Sequence, residues 1–194
     1  MTIELTTDVL RYAYSQGYFP MPSVDQREIL WYHPNPRAVI PLNEFKVSRS
    51  LWRSLRNRGY RVSYNEAFVD VMKGCADRFD TWINQEFIEL YTQLHKEGDA
   101  HSVEVWDDGQ LVGGLYGVSF GGAFFAESKF HKARDASKVA LYHLVEHMKS
   151  KQMSLLEVQF MTEHLERLGA KEVESSEYIQ MLDEALAMDV KFLD

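Results

Sequence analysis

The stretch from His101 to Lys138, HSVEVWDDGQLVGGLYGVSFGGAFFAESKFHKARDASK, leaves the chain few ways to fold. His101 to Trp106 alternates polar and apolar residues, and Asp108-Gly109 offers the residue types a tight hairpin turn needs. Leu111 to Ser119 returns as a second strand, Gly121-Gly122 turns again, and Ala123 to Glu127 forms a third. Strands joined so tightly pair antiparallel. The run then changes character. Glu127 closes the third strand, and Lys129, His131, Lys132, Arg134 and Lys138 follow with few acids among them. A carboxylate at a strand end beside a cationic helix start is more pointed than a core alone requires.

Around this centre the spacing predicts a regular alternation of elements. Thr7 or Asp8 caps a helix to Gln16, stopped by Gly17. All five prolines then fall within YFPMPSVDQREILWYHPNPRAVIPL, which excludes continuous helix and predicts short strands around a fixed loop. Ser48 caps a helix through Arg58, Tyr60 to Ser63 is a strand, Asn65 caps a helix to Asp77, and Asn84 opens one to Lys96. After the hairpins come a helix from Asp135 to Lys151, a strand from Ser154 to Phe160 and a short helix from Thr162 to Leu168. A strand from Ala170 to Val173 follows, and then a last helix capped by Ser175 or Ser176 and running to Met188. The order β-β-β-α-β-α-β-α in the second half predicts an α/β (α+β) fold. Its core is a mostly antiparallel sheet with flanking helices, as in the GNAT acyltransferases. Residues 1–62 are expected as a small N-terminal α/β subdomain and 63–194 as the catalytic domain.

Composition removes several classes. Cys75 is the only cysteine, so disulfide frameworks and thiolate zinc clusters are out. No run of about 18 apolar residues is present, and the acidic, aromatic N-terminus lacks a signal-peptide core, so a cytoplasmic protein is expected. There is no phosphate-binding glycine loop and no dinucleotide fingerprint. His143 and His147 have i, i+4 spacing, but no HExxH pattern supports a metal.

The net charge of −8 argues against non-specific nucleic-acid binding, yet the charge is segregated. Between Phe45 and Asn65 there are six cations and no acid. Lys46, Arg49, Arg53 and Arg56 fall on one stripe of the predicted helix, with Leu51, Trp52 and Leu55 on another face. Such a stripe is either a solvated helix face or a ridge for phosphates. On the strand LLEVQF, Glu157 and Gln159 are two apart and so share one face, either wet or lining a cleft. Trp82 at a helix entry reads as a hydrophobic staple or a stacking platform, and Tyr91 as core or rim.

The chain resembles the leucyl/phenylalanyl-tRNA–protein transferases over nearly its full length. The resemblance is carried by RYAYSQGYFP, ILWYHPNPRAV, FKVSRSLWRSLR, YNEAFVDVMKGCA, TWI, HSVEVWDDGQLVGGLYGV, AESKF, ASKVAL, EVQF and HLERLGA, in order. It implies transfer of Leu or Phe, and Met less well, from aminoacyl-tRNA to proteins beginning with Arg or Lys. The product is a degradation signal, and no metal or cofactor is needed. It implies catalytic roles for Glu157, orienting and deprotonating the amine, and for Gln159. Acceptor recognition falls to Glu127, Trp82 and Tyr91. The amino-acid pocket is expected from Leu115, Phe124, Leu141, Leu144, Met148 and Leu156. tRNA contacts are expected from Arg49, Arg53, Arg56, Lys132 and Arg134, with Lys138 beside them.

The chain also departs from the family pattern. Glu157 stands where Asp is usual, Lys129 where the pocket is usually apolar, and Met21 where Trp usually follows Phe-Pro; the N-terminal subdomain is shortened. Two other readings follow from these residues. One is an acyl-CoA N-acetyltransferase on the same fold, against which SKFHKARDASK lacks the glycines of a pyrophosphate loop. The other is a tRNA- or degron-binding homologue with altered catalysis.

Overall fold

The computed structural model describes residues 5–23, 29–78, 81 and 83–193. In chain order the elements are α1 (Thr7–Ser15), β1 (Phe19–Pro22), β2 (Ile29–Tyr32), β3 (Arg37–Val39), α2 (Arg49–Asn57), β4 (Arg61–Tyr64), α3 (Phe68–Ala76) and α4 (Gln85–Lys96). They continue with β5 (Ala100–Asp107), β6 (Gln110–Phe120), β7 (Ala123–His131), α5 (Ala136–Ser150), β8 (Leu155–Glu157), α6 (Glu163–Arg167), β9 (Lys171–Val173) and α7 (Ser175–Leu186). β1 and β2 form a small antiparallel ribbon. The other strands make one seven-stranded sheet in the order β4-β5-β6-β7-β8-β3-β9. Its strand pairs are antiparallel except β7 with β8, which are parallel and joined through α5.

Both faces of the sheet are covered, so each strand alternates between two cores. Val103, Val105, Leu115, Phe124 and Leu156 point to the side where α5 lies, among Val139, Ala140, Leu144 and Met148. Tyr116, Val118, Phe125 and Leu155 point to the side of α3, α4, α1 and α7, among Phe68, Met72, Phe87, Tyr91, Leu10, Tyr14 and Tyr178. A helix buried as extensively as α5 must be apolar on more than one stripe, as ASKVALYHLVEHM is.

Helix starts are read correctly where a short polar side chain is free to turn back. Ser48, Asn84 and Thr162 each accept from the backbone N–H three residues on, and α1 is capped the same way by Thr6, one residue before the expected Thr7 or Asp8. Asn65 does not cap. It sits at φ +60, its amide oxygen accepts from the Ser102 N–H, and α3 begins only at Phe68. Asp135 precedes α5 at φ +60, but its carboxylate turns to Ser50, Ser54 and Lys138, pinning α2 to the start of α5. Neither Ser175 nor Ser176 caps α7, which starts after Glu174 without a side-chain cap.

Two strand boundaries differ from the sequence expectation, and both shape the site. β7 runs on to His131, so Glu127 lies inside it rather than at its end. β8 stops at Glu157, because Gln159 turns into the left-handed region at φ +65. The boundary expected at residue 62 is crossed by β3, which lies between β8 and β9 in the large sheet, and by α2, which is tied to α5 through Asp135.

Candidate active site

The site is a gap opened within the sheet. β7 and β8 pair only at Ala123–Leu155, Phe124–Leu156 and Phe125–Glu157, and beyond these residues the two chains part. Crevices at the carboxyl ends of parallel strands are habitual ligand sites. Here the parting is enforced from both sides. On β7 the register against β6 shifts between Tyr116 and Gly117, which pair with Ser128 and Ala126, and Glu127 is the bulged residue between them. Gly117 makes the bulge possible: a Cβ there would lie 2.2 Å from the Phe125 carbonyl oxygen and 2.5 Å from the Phe124 ring. On the other side the left-handed turn at Gln159 swings that residue back toward β7.

The two side chains meet across the gap. Gln159 Nε2 donates to Glu127 Oε2 at 3.1 Å. Tyr14 of α1 donates to Glu127 Oε1 at 2.6 Å, and the Tyr14 oxygen in turn lies 2.6 Å from the hydroxyl of Tyr91 on α4. With the Tyr14 proton committed to the carboxylate, Tyr91 is the donor to Tyr14. Burial pushes the Glu127 carboxyl up to about 8, helped by the charge of Glu157 and opposed by the hydrogen bonds from Tyr14 and Gln159. The same burial, with the Glu127 charge behind it, raises Tyr14 and Tyr91 well above the usual tyrosine value.

Glu127 and Gln159 line a small pocket of about 80 Å³ with Leu115, Leu141, Val158 and Leu165 as its apolar walls and Ala126, Ser128 and Lys129 at its β7 side. Leu115 and Leu141, two of the residues expected in the amino-acid pocket, are among these walls. Phe124, Leu144, Met148 and Leu156 are completely buried behind that surface and support it as core. Val158 and Leu165 were not anticipated as walls, although both are apolar residues within the EVQF and HLERLGA stretches.

Glu157 is placed differently. It is 0% exposed and turned away from the pocket. Its Oε1 accepts from Arg37 at 3.1 Å and from the backbone N–H of Gln159 at 2.6 Å. Arg37 is itself 1% exposed, lies 4.3 Å above the Tyr178 ring centre, and also donates to the Gly17 carbonyl. Burial raises the Glu157 carboxyl and Arg37 opposes the rise. Glu157 therefore holds the turn that carries Gln159. Glu157 and Gln159 cooperate through this turn, not by alternation along one strand face. Arg37 escaped the sequence reading, though an isolated Arg directly before the apolar run AVIPL was its signal.

Tyr91 is fully buried and reaches the carboxylate through Tyr14 rather than meeting the pocket. Trp82 lies outside the described residues. On α2, Arg49, Arg53 and Arg56 are exposed, as the stripe predicts, but Trp52 is also half exposed with Arg56 over its ring at 5.8 Å. Arg53, Arg58 and Arg134 converge on a shallow cleft of about 220 Å³ with Ser50, Ser54 and Asn57. Lys132 lines a separate groove with Lys73, Asp70, Trp106 and Phe130. No helix among the described residues is long and apolar enough to cross a membrane.

Comparison with known proteins places this geometry. Among solved structures, FemX superposes with a TM-score of 0.57 at 14% identity over 90% of this chain and 68% of that one. The GCN5-related glucosamine N-acetyltransferase region of a fungal multi-domain GH3 β-N-acetylglucosaminidase gives 0.50 at 10% identity, over 86% of this chain and 22% of that chain. These likenesses show the GNAT-like fold expected from the order of elements. In sequence, proteins named leucyl/phenylalanyl-tRNA–protein transferase are 50% identical in Herpetosiphon aurantiacus, over 99% of this chain and all of that protein, and 47% identical in Gloeobacter violaceus with the same coverage. The profile of the leucyl/phenylalanyl-tRNA protein transferases matches residues 39–183, and that of their N-terminal domain matches residues 3–35. The split between the two profiles falls next to β3, and the paired Glu127 and Gln159 lie within the larger one: the chain belongs to the leucyl/phenylalanyl-tRNA–protein transferase family.

Proposed function

We propose that this chain works in the cytoplasm, moving Leu or Phe, and Met less well, from aminoacyl-tRNA to the N-terminal Arg or Lys of acceptor proteins and so creating an N-degron. The observation that carries the reading is the Glu127–Gln159 pair at the mouth of a small apolar pocket, in a chain of this family. The ester of an aminoacyl-tRNA is already activated. The enzyme must seat the amino-acid side chain, bring up an amine and take its proton. Leu115, Leu141, Val158 and Leu165 offer the seat. A free α-amine titrates near about 7.7–8.0. A carboxyl held at about 8 matches it closely, as efficient proton transfer requires. In its ionised form Glu127 therefore receives the incoming α-ammonium and its proton. The amine nitrogen bonds to the ester carbon, the ester C–O bond breaks, and the ribose oxygen leaves with a proton. Gln159 holds Glu127 in place and faces the reacting groups, while Glu157 and Arg37 set the turn beneath it. In this reading Glu157 acts by positioning.

The test is transfer of labelled Leu and Phe from charged tRNA to peptides beginning with Arg, Lys, Asp or Ala, with Glu127→Ala and Glu157→Ala beside the parent. Transfer to Arg and Lys peptides alone, lost in Glu127→Ala, is expected. No transfer by the parent while it still binds aminoacyl-tRNA would replace this reading with that of a binding homologue.

A further inference from the structure

Beside the small pocket lies a second, larger cleft of about 420 Å³ lined by Arg78, Lys129, His131, Lys138 and His164, with Asp135 and Ser137. Among the described residues Lys129 alone lines both. The two are also bridged by Arg78, which donates to the Ser128 hydroxyl of the small pocket at 2.9 Å. The charges in the cleft are poorly balanced. Among the described residues that line it the only acid, Asp135, is spent on Ser50, Ser54 and Lys138. Arg78, Lys129, His131 and His164 thus crowd together around one small space. The crowding registers on the groups themselves. Lys129 is held below the usual lysine value by burial, with Arg78 adding to the effect, and His164 is lowered by burial and then by Lys129, Lys138 and His131. A cleft arranged this way is short of an anion.

Building on the proposed transfer reaction, we propose that this cleft binds the 5′-phosphate of the aminoacylated terminal nucleotide of tRNA, and that Lys129 sets the distance between that phosphate and the amino-acid pocket. The chemistry of the substrate matches the two-chambered shape. An amino acid esterified to the terminal ribose is separated from that nucleotide's 5′-phosphate by the ribose alone. An apolar chamber and a cationic chamber sharing one wall suit the two ends. The stem of Lys129 belongs to the apolar side and its ammonium to the cationic side, a division natural to lysine. Beyond the cleft, Asp135 joins it to Ser50 and Ser54 of α2, next to the exposed Arg49, Arg53 and Arg56. Basic groups therefore follow one another from the pocket to the ridge.

The test compares two non-hydrolysable analogues in which Phe is joined by an amide to 3′-amino-3′-deoxyadenosine, one with a 5′-phosphate and one without. Binding to the parent and to the Lys129→Met and Arg78→Ala variants is measured by calorimetry, with coenzyme A as a competing probe. We expect the phosphorylated analogue to bind the parent about tenfold tighter or more, as charge-assisted hydrogen bonds to phosphate allow. Each variant should shrink that ratio, and Arg78→Ala should do so while keeping its affinity for the unphosphorylated analogue within about threefold. Equal binding of both analogues to the parent, or an undiminished ratio in the two variants, overturns the phosphate site and leaves the transfer reading intact. Binding of neither analogue overturns both. Displacement of the phosphorylated analogue by equimolar coenzyme A would assign the cleft to a coenzyme pyrophosphate instead.

Discussion

Arg37 and Glu157 meet at 3.1 Å with neither side chain in contact with solvent, one on a strand near the start of the chain and one beside the reaction pocket. Arg37 Nε and Glu157 Oε2 have no hydrogen-bond partner among the described residues, so the pair is held by its one mutual contact, the Gly17 carbonyl and Tyr178 face on the Arg37 side, and the Gln159 N–H on the Glu157 side. Removing one member of a buried pair strands the other charge. Arg37→Ala is expected to lose about 3–5 kcal/mol of stability, read from urea unfolding. Arg37→Leu combined with Glu157→Leu should recover most of that loss. A double variant no more stable than Arg37→Ala would show that the pair is not the seat of the effect.

Glu127 gives a pH signature. Its carboxyl is raised from an ordinary 4.5 to about 8, so the folded state favours the protonated form. The stability linked to this group is complete below about pH 4.5 and is lost as pH climbs through 8, a change on the order of a few kcal/mol. Glu127→Gln keeps a neutral group at every pH. Its melting temperature relative to the parent should therefore rise steadily from pH 5 to pH 9. A difference that is flat or falls over that range would contradict the raised value.

Gly117 faces the bulge that delivers Glu127. Any Cβ at this position collides with the Phe125 carbonyl and the Phe124 ring, so Gly117→Ala must shift β6 against β7. The expected outcome is a loss of about 1–3 kcal/mol and a fall in transfer larger than the lost stability explains. A folded Gly117→Ala protein with parental kcat would show that the bulge geometry is dispensable.

The ridge on α2 is predicted to act through charge alone. Arg53→Ala and Arg56→Ala are exposed changes and should leave the melting temperature within experimental error. Each should weaken tRNA binding and lower the slope of log affinity against log salt by roughly 0.7–0.9. Unchanged slopes would return the stripe to the status of a solvated helix face.

The sequence made the hairpins, the cap residues Ser48, Asn84 and Thr162 and the basic stripe legible, and it named Glu127 and Gln159 separately as site residues. Those features depend on local turn chemistry, periodicity and motif. It did not show how the two site residues meet. A bulge at Glu127 and a left-handed turn at Gln159 are departures from regular strand geometry, and period-two alternation predicts neither. Nor did it show Glu157 buried beneath the Gln159 turn. That depends on Arg37, a residue 120 positions away whose partner no local pattern can name. Asn65 failed as a cap because a tertiary partner, the Ser102 N–H, claimed its side chain first.

β3 lies between β8 and β9, and both neighbours are made after residue 150. While the chain is being synthesised, Arg37 thus spends most of that time without the carboxylate it will pair with, and the far edge of the sheet stays open. The hairpins β5 to β7 can pair as they emerge; the sheet closes only when the last strands arrive and capture a segment made near the beginning. The pocket is finished in the same event, because the Gln159 turn is tied to that captured strand. An incomplete chain on the ribosome can hold Leu115, Leu141 and Glu127 but neither the walls Val158 and Leu165 nor the Gln159 turn.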